Sequence, residues 1–205
     1  EIEKISPSVF HIPDIGYPVL ARNKIVTTVH DITPYLFPEY LSGRKERIKY
    51  RLKLLSLKRA DRIIAISKST KDDLINYLHI PPMKITVIPY GVDEKFKPVP
   101  KEKCKKWVEE KWGIKGDFIL YVGALSPNKN IPRLLKAFSL LIEKGVKDYP
   151  LLIVASLNTP YYKEFLFETQ KLGIDKKIRW LGTQSHQALV YLYNACTLFI
   201  FPSLY

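Results

Sequence analysis

The stretch Phe118-Ile119-Leu120-Tyr121-Val122-Gly123-Ala124-Leu125-Ser126-Pro127-Asn128-Lys129-Asn130 decides how this chain is read. A short apolar strand ends at a glycine, a tight polar loop carries one lysine, and a helix opens at once. The helix is predicted from Asn130 as N-cap, Pro132 in the first turn, and an apolar stripe of Leu134, Leu135, Phe138, Leu141 and Ile142. Gly145 closes it. Strand, turn and helix in this order aim backbone N–H groups and the positive end of a helix dipole at the loop, and an ammonium there suits a phosphate. The same arrangement also serves simply to pack a helix on a sheet. The loop alone does not choose an anion.

Outward from this run, strand-like segments recur at Lys24–Val29, Arg62–Ile66, Lys84–Ile88, Leu151–Ala155, Ile178–Leu181 and Leu198–Phe201, with Phe118–Val122 among them. Helical patterns lie between many of them. Arg44–Arg59 is a basic amphipathic helix with Ile48, Leu52 and Leu55 on one face. A helix from about Thr70 to Leu78 begins with the capping-box-like pair Ser69 and Asp72 and stops before Pro81-Pro82. Further helices are expected over Lys101–Trp112, Tyr161–Leu172 and Gln187–Asn194. Alternating β and α is the pattern of parallel, doubly wound α/β sheets. Pro89-Tyr90-Gly91-Val92-Asp93 and Phe96-Lys97-Pro98-Val99-Pro100 cluster turn formers and mark the expected boundary, giving domains 1–90 and 91–205.

The chain's 205 residues suit one large domain or two small ones, at roughly 150 residues per domain. With 46% apolar residues it can bury a core, which excludes global disorder. Its 33 Lys and Arg outweigh 20 Asp and Glu for a formal charge of +13, a field that attracts nucleic acid, anionic lipid or phosphorylated small molecules. Cys104 and Cys196 are scattered, which suggests reduced thiols in a cytoplasmic protein. The histidines at 11, 30, 79 and 186 show no metal-ligand spacing, so no metal site is expected. Trp180 to Tyr205 carries no charge, yet polar residues interrupt it repeatedly. A buried strand–helix–strand passage accounts for it better than a membrane span.

Candidate site residues follow from position. His30 and Asp31 end the first clear strand, where open α/β sheets form their ligand crevice; a histidine bonded to structure would sit there equally well. Ser67, Ser69 and Thr70 open a helix after a strand, either to cap it or to line a cleft. Lys129 beside a helix N-terminus suits a diphosphate, or is a solvated loop lysine. Arg44, Lys45, Arg47, Lys49, Arg51 and Lys53 form a patch that would dock on anionic membrane or nucleic acid, or remain solvated. Against nucleic acid, the chain shows no RNA-binding aromatic signature, zinc module or leucine heptads.

Taken in order, several strings resemble the group 1, or family 4, glycosyltransferases of GT-B fold. They are Val26-Thr27-Thr28-Val29-His30-Asp31, Phe37-Pro38-Glu39, Ala60-Asp61-Arg62-Ile63-Ile64-Ala65-Ile66-Ser67, and Lys84-Ile85-Thr86-Val87-Ile88-Pro89-Tyr90-Gly91-Val92-Asp93. The opening run, Arg179-Trp180-Leu181-Gly182, Leu192-Tyr193-Asn194-Ala195 and Phe201-Pro202-Ser203-Leu204-Tyr205 complete the series. The resemblance implies two Rossmann-like halves with parallel sheets, acceptor side first and nucleotide-sugar side second, both incomplete. It implies transfer of a hexose from a nucleotide-sugar to a saccharide or lipid-linked acceptor, with retention of configuration. His30, with Asp31 beside it, would lie near the transfer site, and Ser67 would line the cleft. Gly123, Asn128, Lys129, Asn130 and Ser203 would hold the donor, Lys129 stabilising the leaving diphosphate without a metal or other cofactor.

Nucleic acid would not be a partner, and the protein would be cytoplasmic or peripheral on the inner membrane face. A non-catalytic basic module is the competing class. Asn128 stands where many relatives carry arginine, and Ala155-Ser156 where glycine is common. The family's paired-glutamate segment would begin just after Tyr205, and its first strand and glycine-rich loop would precede Glu1. Two complete domains need roughly 300 residues, so the chain reads as an internal piece with little or no activity alone.

Overall fold

A computed structural model describes residues 8–16, 24–41, 43–145 and 149–205. The chain divides into two compact units, Glu1–Gly91 and Val92–Tyr205.

In the first unit, strands β1 (Val9–Ile12), β2 (Lys24–Val29), β3 (Arg62–Ala65) and β4 (Ile85–Val87) form a wholly parallel sheet in that order. Parallel neighbours require crossovers, and helices α1 (Thr33–Leu36), α2 (Arg44–Arg59) and α3 (Lys68–Leu78) lie in them. Strand side chains alternate, so Ile25, Val29, Ile63, Ala65 and Ile85 share one face. They form a single core there with Leu54, Leu57, Leu74 and Ile80. Asp61 ties the sheet at the entry to β3: its carboxylate accepts from Ile25 N at 2.9 Å and from Lys24 Nζ at 3.1 Å. The Ile25 N–H, followed by Lys24, holds that carboxyl below the usual range.

Two local expectations change. Ser67 caps α3, with Oγ accepting from Thr70 N at 3.0 Å, while Ser69 lies inside the first turn. Ser67 has the extended backbone that a cap needs, because the strand has only just ended. Along α2 the sequence singles out Ile48, Leu52 and Leu55, yet those three are exposed and Leu54, Ser56 and Leu57 are the buried residues. The helix is basic almost all round, so periodicity alone does not say which of its apolar positions meets the sheet.

In the second unit, β5 (Ile119–Val122), β6 (Leu151–Val154), β7 (Ile178–Trp180) and β8 (Leu198–Phe199) are parallel in the order β7-β6-β5-β8. Both faces of this sheet are covered. Ile119, Tyr121, Leu151 and Ile153 pack under α5 (Ile131–Glu143) and α6 (Pro160–Lys171), through Leu134, Leu135, Phe138 and Phe165. Phe118, Leu120, Leu152 and Val154 pack under α4 (Lys101–Trp112) and α7 (His186–Ala195), through Cys104, Val108, Leu192 and Ala195. This is why β5 and β6 read as unbroken apolar runs: a strand buried on both faces has no polar side. β8 is shorter than the expected Leu198–Phe201. Ile200 N still donates to Leu120 O, and Pro202, with no N–H, cannot continue the ladder. Two parallel-sheet α/β halves are the fold class that the resemblance implies.

Candidate active site

All strands of a parallel sheet point the same way, so the residues that follow them gather along one edge. In the first unit Pro13 follows β1, His30 follows β2, Ser67 follows β3 and Tyr90 follows β4. They meet. His30 Nε2 lies 2.9 Å from Pro13 O, and Tyr90 Oη is hydrogen-bonded to His30 Nδ1. Thr70 Oγ1 donates to His30 O at 3.0 Å and lies 2.9 Å from Ser67 Oγ, so the hydroxyl cluster that opens α3 also fixes the histidine backbone. Ser67 is thus half-buried and engaged in capping.

Asp31 accepts from Thr33 N at 2.8 Å and so holds the turn into α1, while its residue stays exposed. Tyr50 of α2 feels Asp31 and Asp14. Burial first, then these two carboxylates, push its phenol well above the ordinary range, so it stays a neutral hydroxyl.

In the second unit the loop after β5 meets the segment after β8. Lys129 ends a 3-10 turn, Pro127–Lys129, and is half-buried. Its Nζ lies 3.5 Å from Ser203 Oγ and 4.8 Å from the Phe201 ring centre, close enough for a cation–π contact. Ser203 Oγ donates to Asn128 O at 3.2 Å, and Leu204 N donates to the same carbonyl at 2.7 Å. Asn128 Oδ1 accepts from Ser126 Oγ at 2.8 Å.

Asn130 stands at the N-cap position of α5 but does not cap it. Its backbone is left-handed (φ 57°), and its side-chain amide donates to Pro202 O at 3.3 Å. Asparagine tolerates that conformation better than most residues. The first turn of α5 therefore has no side-chain cap, and Lys129 stands two residues before it. Gly123 has a packing reason to lack a side chain: a Cβ there would fall 2.6 Å from Tyr121 Oη and 3.1 Å from Phe201 Cε2.

Gly123, Asn128, Lys129, Asn130 and Ser203 thus come together in one unit, and His30, Asp31 and Ser67 in the other. Arg44, Lys45, Arg47, Lys49 and Arg51 are exposed along α2 and Lys53 is half-buried. None of them belongs to either strand edge. Beside them, Ile48, Leu52 and Leu55 with Tyr35, Tyr77 and Ile80 line an apolar cleft of about 460 Å³. Neither Tyr90 nor Phe201 stands out as a site residue in the sequence, and Thr70 stands out only as part of the hydroxyl cluster that opens α3. For Tyr90 the strand-end rule applied to 84–88 would have found it. Among the described residues no helix is long and apolar enough to cross a membrane.

The family model Glycosyltransferase Family 4 matches residues 1–96, and the model Glycosyl transferases group 1 matches residues 106–205. Serotype-specific mannosyltransferase WbdA of Escherichia coli is 31% identical over 186 residues, covering 89% of this chain and 23% of that protein. O-antigen chain mannosyltransferase B of Escherichia coli is 29% identical over 200 residues, 96% of this chain and 51% of that protein. The chain therefore spans about a quarter to a half of these relatives. Among solved structures, a glycosyltransferase from Rickettsia africae superposes with a TM-score of 0.69 at 21% identity, over 98% of this chain and 53% of that one. Anabaena HepE, solved with UDP and glucose, gives 0.69 at 23% identity over 87% of this chain and 46% of that one. At such identities these two speak for the fold alone.

Proposed function

The chain belongs to the group 1, family 4, glycosyltransferases of GT-B fold, and from that premise we propose that it serves the transfer of a hexose from a nucleotide-sugar to a saccharide or lipid-linked acceptor, with retention of configuration. The observation that carries this reading is the convergence of Lys129, Ser203 and Asn130 at the uncapped start of α5. As the bond between sugar and diphosphate breaks, negative charge grows on the leaving phosphate. A fixed ammonium and the positive end of a helix answer it without reorganising, and the proposal needs no metal for this step. His30 and Asp31 belong to the sugar side of the reaction, with Ser67 on the acceptor side. Mannose is the favoured hexose, since WbdA and O-antigen chain mannosyltransferase B are mannosyltransferases.

Titrating the chain with GDP, UDP, GDP-mannose and UDP-glucose tests the reading. Saturable binding of a nucleoside diphosphate, competed by its sugar conjugate, is expected. Binding of polyanions that falls steeply with salt, with no response to any of the four, would overturn it in favour of a non-catalytic basic module.

Exposed Ile48, Leu52 and Leu55 beside the arginines and lysines of α2 favour an accompanying reading, contact with an anionic membrane surface, consistent with a lipid-linked acceptor and a cytoplasmic-face location. Basic residues near such a surface contribute about 1 kcal/mol each. Arg47→Glu with Arg51→Glu should therefore weaken flotation on phosphatidylglycerol vesicles by roughly 30-fold or more. Flotation indifferent to that double reversal would remove the membrane role.

A further inference from the structure

His30 has two ring nitrogens, and both are engaged within its own unit. Nε2 faces the carbonyl oxygen of Pro13 at 2.9 Å. A carbonyl can only accept, so Nε2 carries the hydrogen, and in the neutral imidazole Nδ1 is then the acceptor. Tyr90 Oη sits on Nδ1, so the phenol is the donor. The two rings lie 5.7 Å apart at a tilt of 30°, which sets the phenol against the edge of the imidazole rather than face to face with it. The histidine backbone is pinned independently by Thr70 Oγ1 on its carbonyl. Of the two ring partners only one can yield. Pro13 contributes backbone, whereas Tyr90 is 62% exposed and follows the last strand of the unit.

We propose that Tyr90 is a positioning residue for His30: its hydroxyl holds the imidazole as the Nε2–H tautomer and keeps Nδ1 filled until a ligand hydroxyl takes its place. A sugar hydroxyl presents the donor chemistry of the phenol and is the class of group that can exchange with it. The exchange gives Nδ1 a fixed hydroxyl donor in the free and in the bound protein. The exchange rests on the donor-side reading of His30; the tautomer does not.

The test uses the whole chain labelled with ¹⁵N-histidine, in which only four histidines contribute. The expected spectrum shows His30 as the Nε2–H tautomer with a hydrogen-bonded Nδ1. Tyr90→Phe, which keeps the ring, should move the Nδ1 resonance toward that of a free acceptor and leave His11, His79 and His186 unmoved. An Nδ1–H tautomer in the wild type, or a His30 signal unchanged in Tyr90→Phe, overturns the proposal.

The second arm measures the ratio of GDP-mannose to GDP affinity. Tyr90→Phe should raise it several-fold, because the sugar no longer competes with the phenol, while GDP affinity stays constant. A constant ratio with Nδ1 freed overturns the exchange. If His30→Ala also leaves the ratio constant while GDP still binds, the fault lies in assigning His30 to the donor, and the diphosphate site stands.

Discussion

Lys129→Ala should lower nucleoside diphosphate affinity by roughly 10- to 100-fold. A hydrogen bond to a charged group is worth about 1.5–3 kcal/mol, and 1.4 kcal/mol is tenfold in affinity. A free surface lysine would lose part of that to the ordering of its long side chain. Here the ordering is partly done in advance, because Nζ is already held between Ser203 Oγ and the ring of Phe201. The half-buried position also weakens screening by salt, so the loss should persist as ionic strength rises, unlike the loss of a remote surface charge. Calorimetric titration of GDP and UDP at low and raised salt reads this directly. Lys129→Arg should retain most of the affinity, since it keeps the charge and adds a planar donor fork suited to phosphate. The thermal midpoint should hardly move, because the contacts of Lys129 are few and lie at the rim. Affinity unchanged in Lys129→Ala would return this residue to the status of a solvated loop cation.

How far the sequence carries differs between the two halves for a physical reason. The second sheet is buried on both faces, so Phe118–Val122 and Leu151–Ala155 read as uninterrupted apolar runs, and α5 shows a clean stripe. Both are strong signals, and the ends found in the structure lie within a residue of those read. β1 is invisible by comparison. Val9–Ile12 is four residues between Pro7 and Pro13, too short for alternation to stand out, and its pairing with β2 is a long-range fact. The same holds for α1, a single turn between His30-Asp31 and Phe37 that Asp31 holds through Thr33 N.

The site divides along a similar line. Positions are legible because in a parallel sheet every strand ends at the same edge, so His30, Ser67 and Lys129 could each be placed by counting to the end of a strand. Partners are not legible. Nothing in the string Asn128-Lys129-Asn130 says that Asn130 would leave its capping duty to bind Pro202 O, 72 positions away. Nor does Pro89-Tyr90-Gly91, a good turn by composition, say that its tyrosine reaches back across the sheet edge to His30, 60 positions earlier. Turn chemistry describes the backbone of such a segment. Where its side chain lands depends on which strands become neighbours.

Gly123→Ala should destabilise the second unit by about 1–3 kcal/mol, the usual range for forcing extra atoms into a packed site. The added methyl would lie 2.6 Å from Tyr121 Oη, 3.0 Å from its Cζ and 3.1 Å from Phe201 Cε2. Tyr121 has no easy retreat, and Phe201, though half-exposed, can shift only by giving up its contacts. Tyr121 is fully buried, its phenol donates to Ala124 O at 2.9 Å, and burial pushes that phenol up to about 12. Phe201 is stacked on Tyr121 at 6.0 Å and is itself the ring beneath Lys129, so moving it disturbs the ammonium. The packing defect should thus reach the site: GDP affinity should fall in Gly123→Ala although the methyl touches no ligand.

All three tryptophans, Trp107, Trp112 and Trp180, lie in the second unit, so urea unfolding followed by tryptophan fluorescence reports on that unit by itself. Tyr121→Phe removes the closest of the three atoms while leaving Cζ in place, so the double variant should recover part of the loss and make the two substitutions non-additive. Full additivity, or a Gly123→Ala midpoint equal to the wild type, would mean that the rings have room to give. The glycine would then owe its place to the approach of a ligand rather than to the packing of Tyr121 and Phe201.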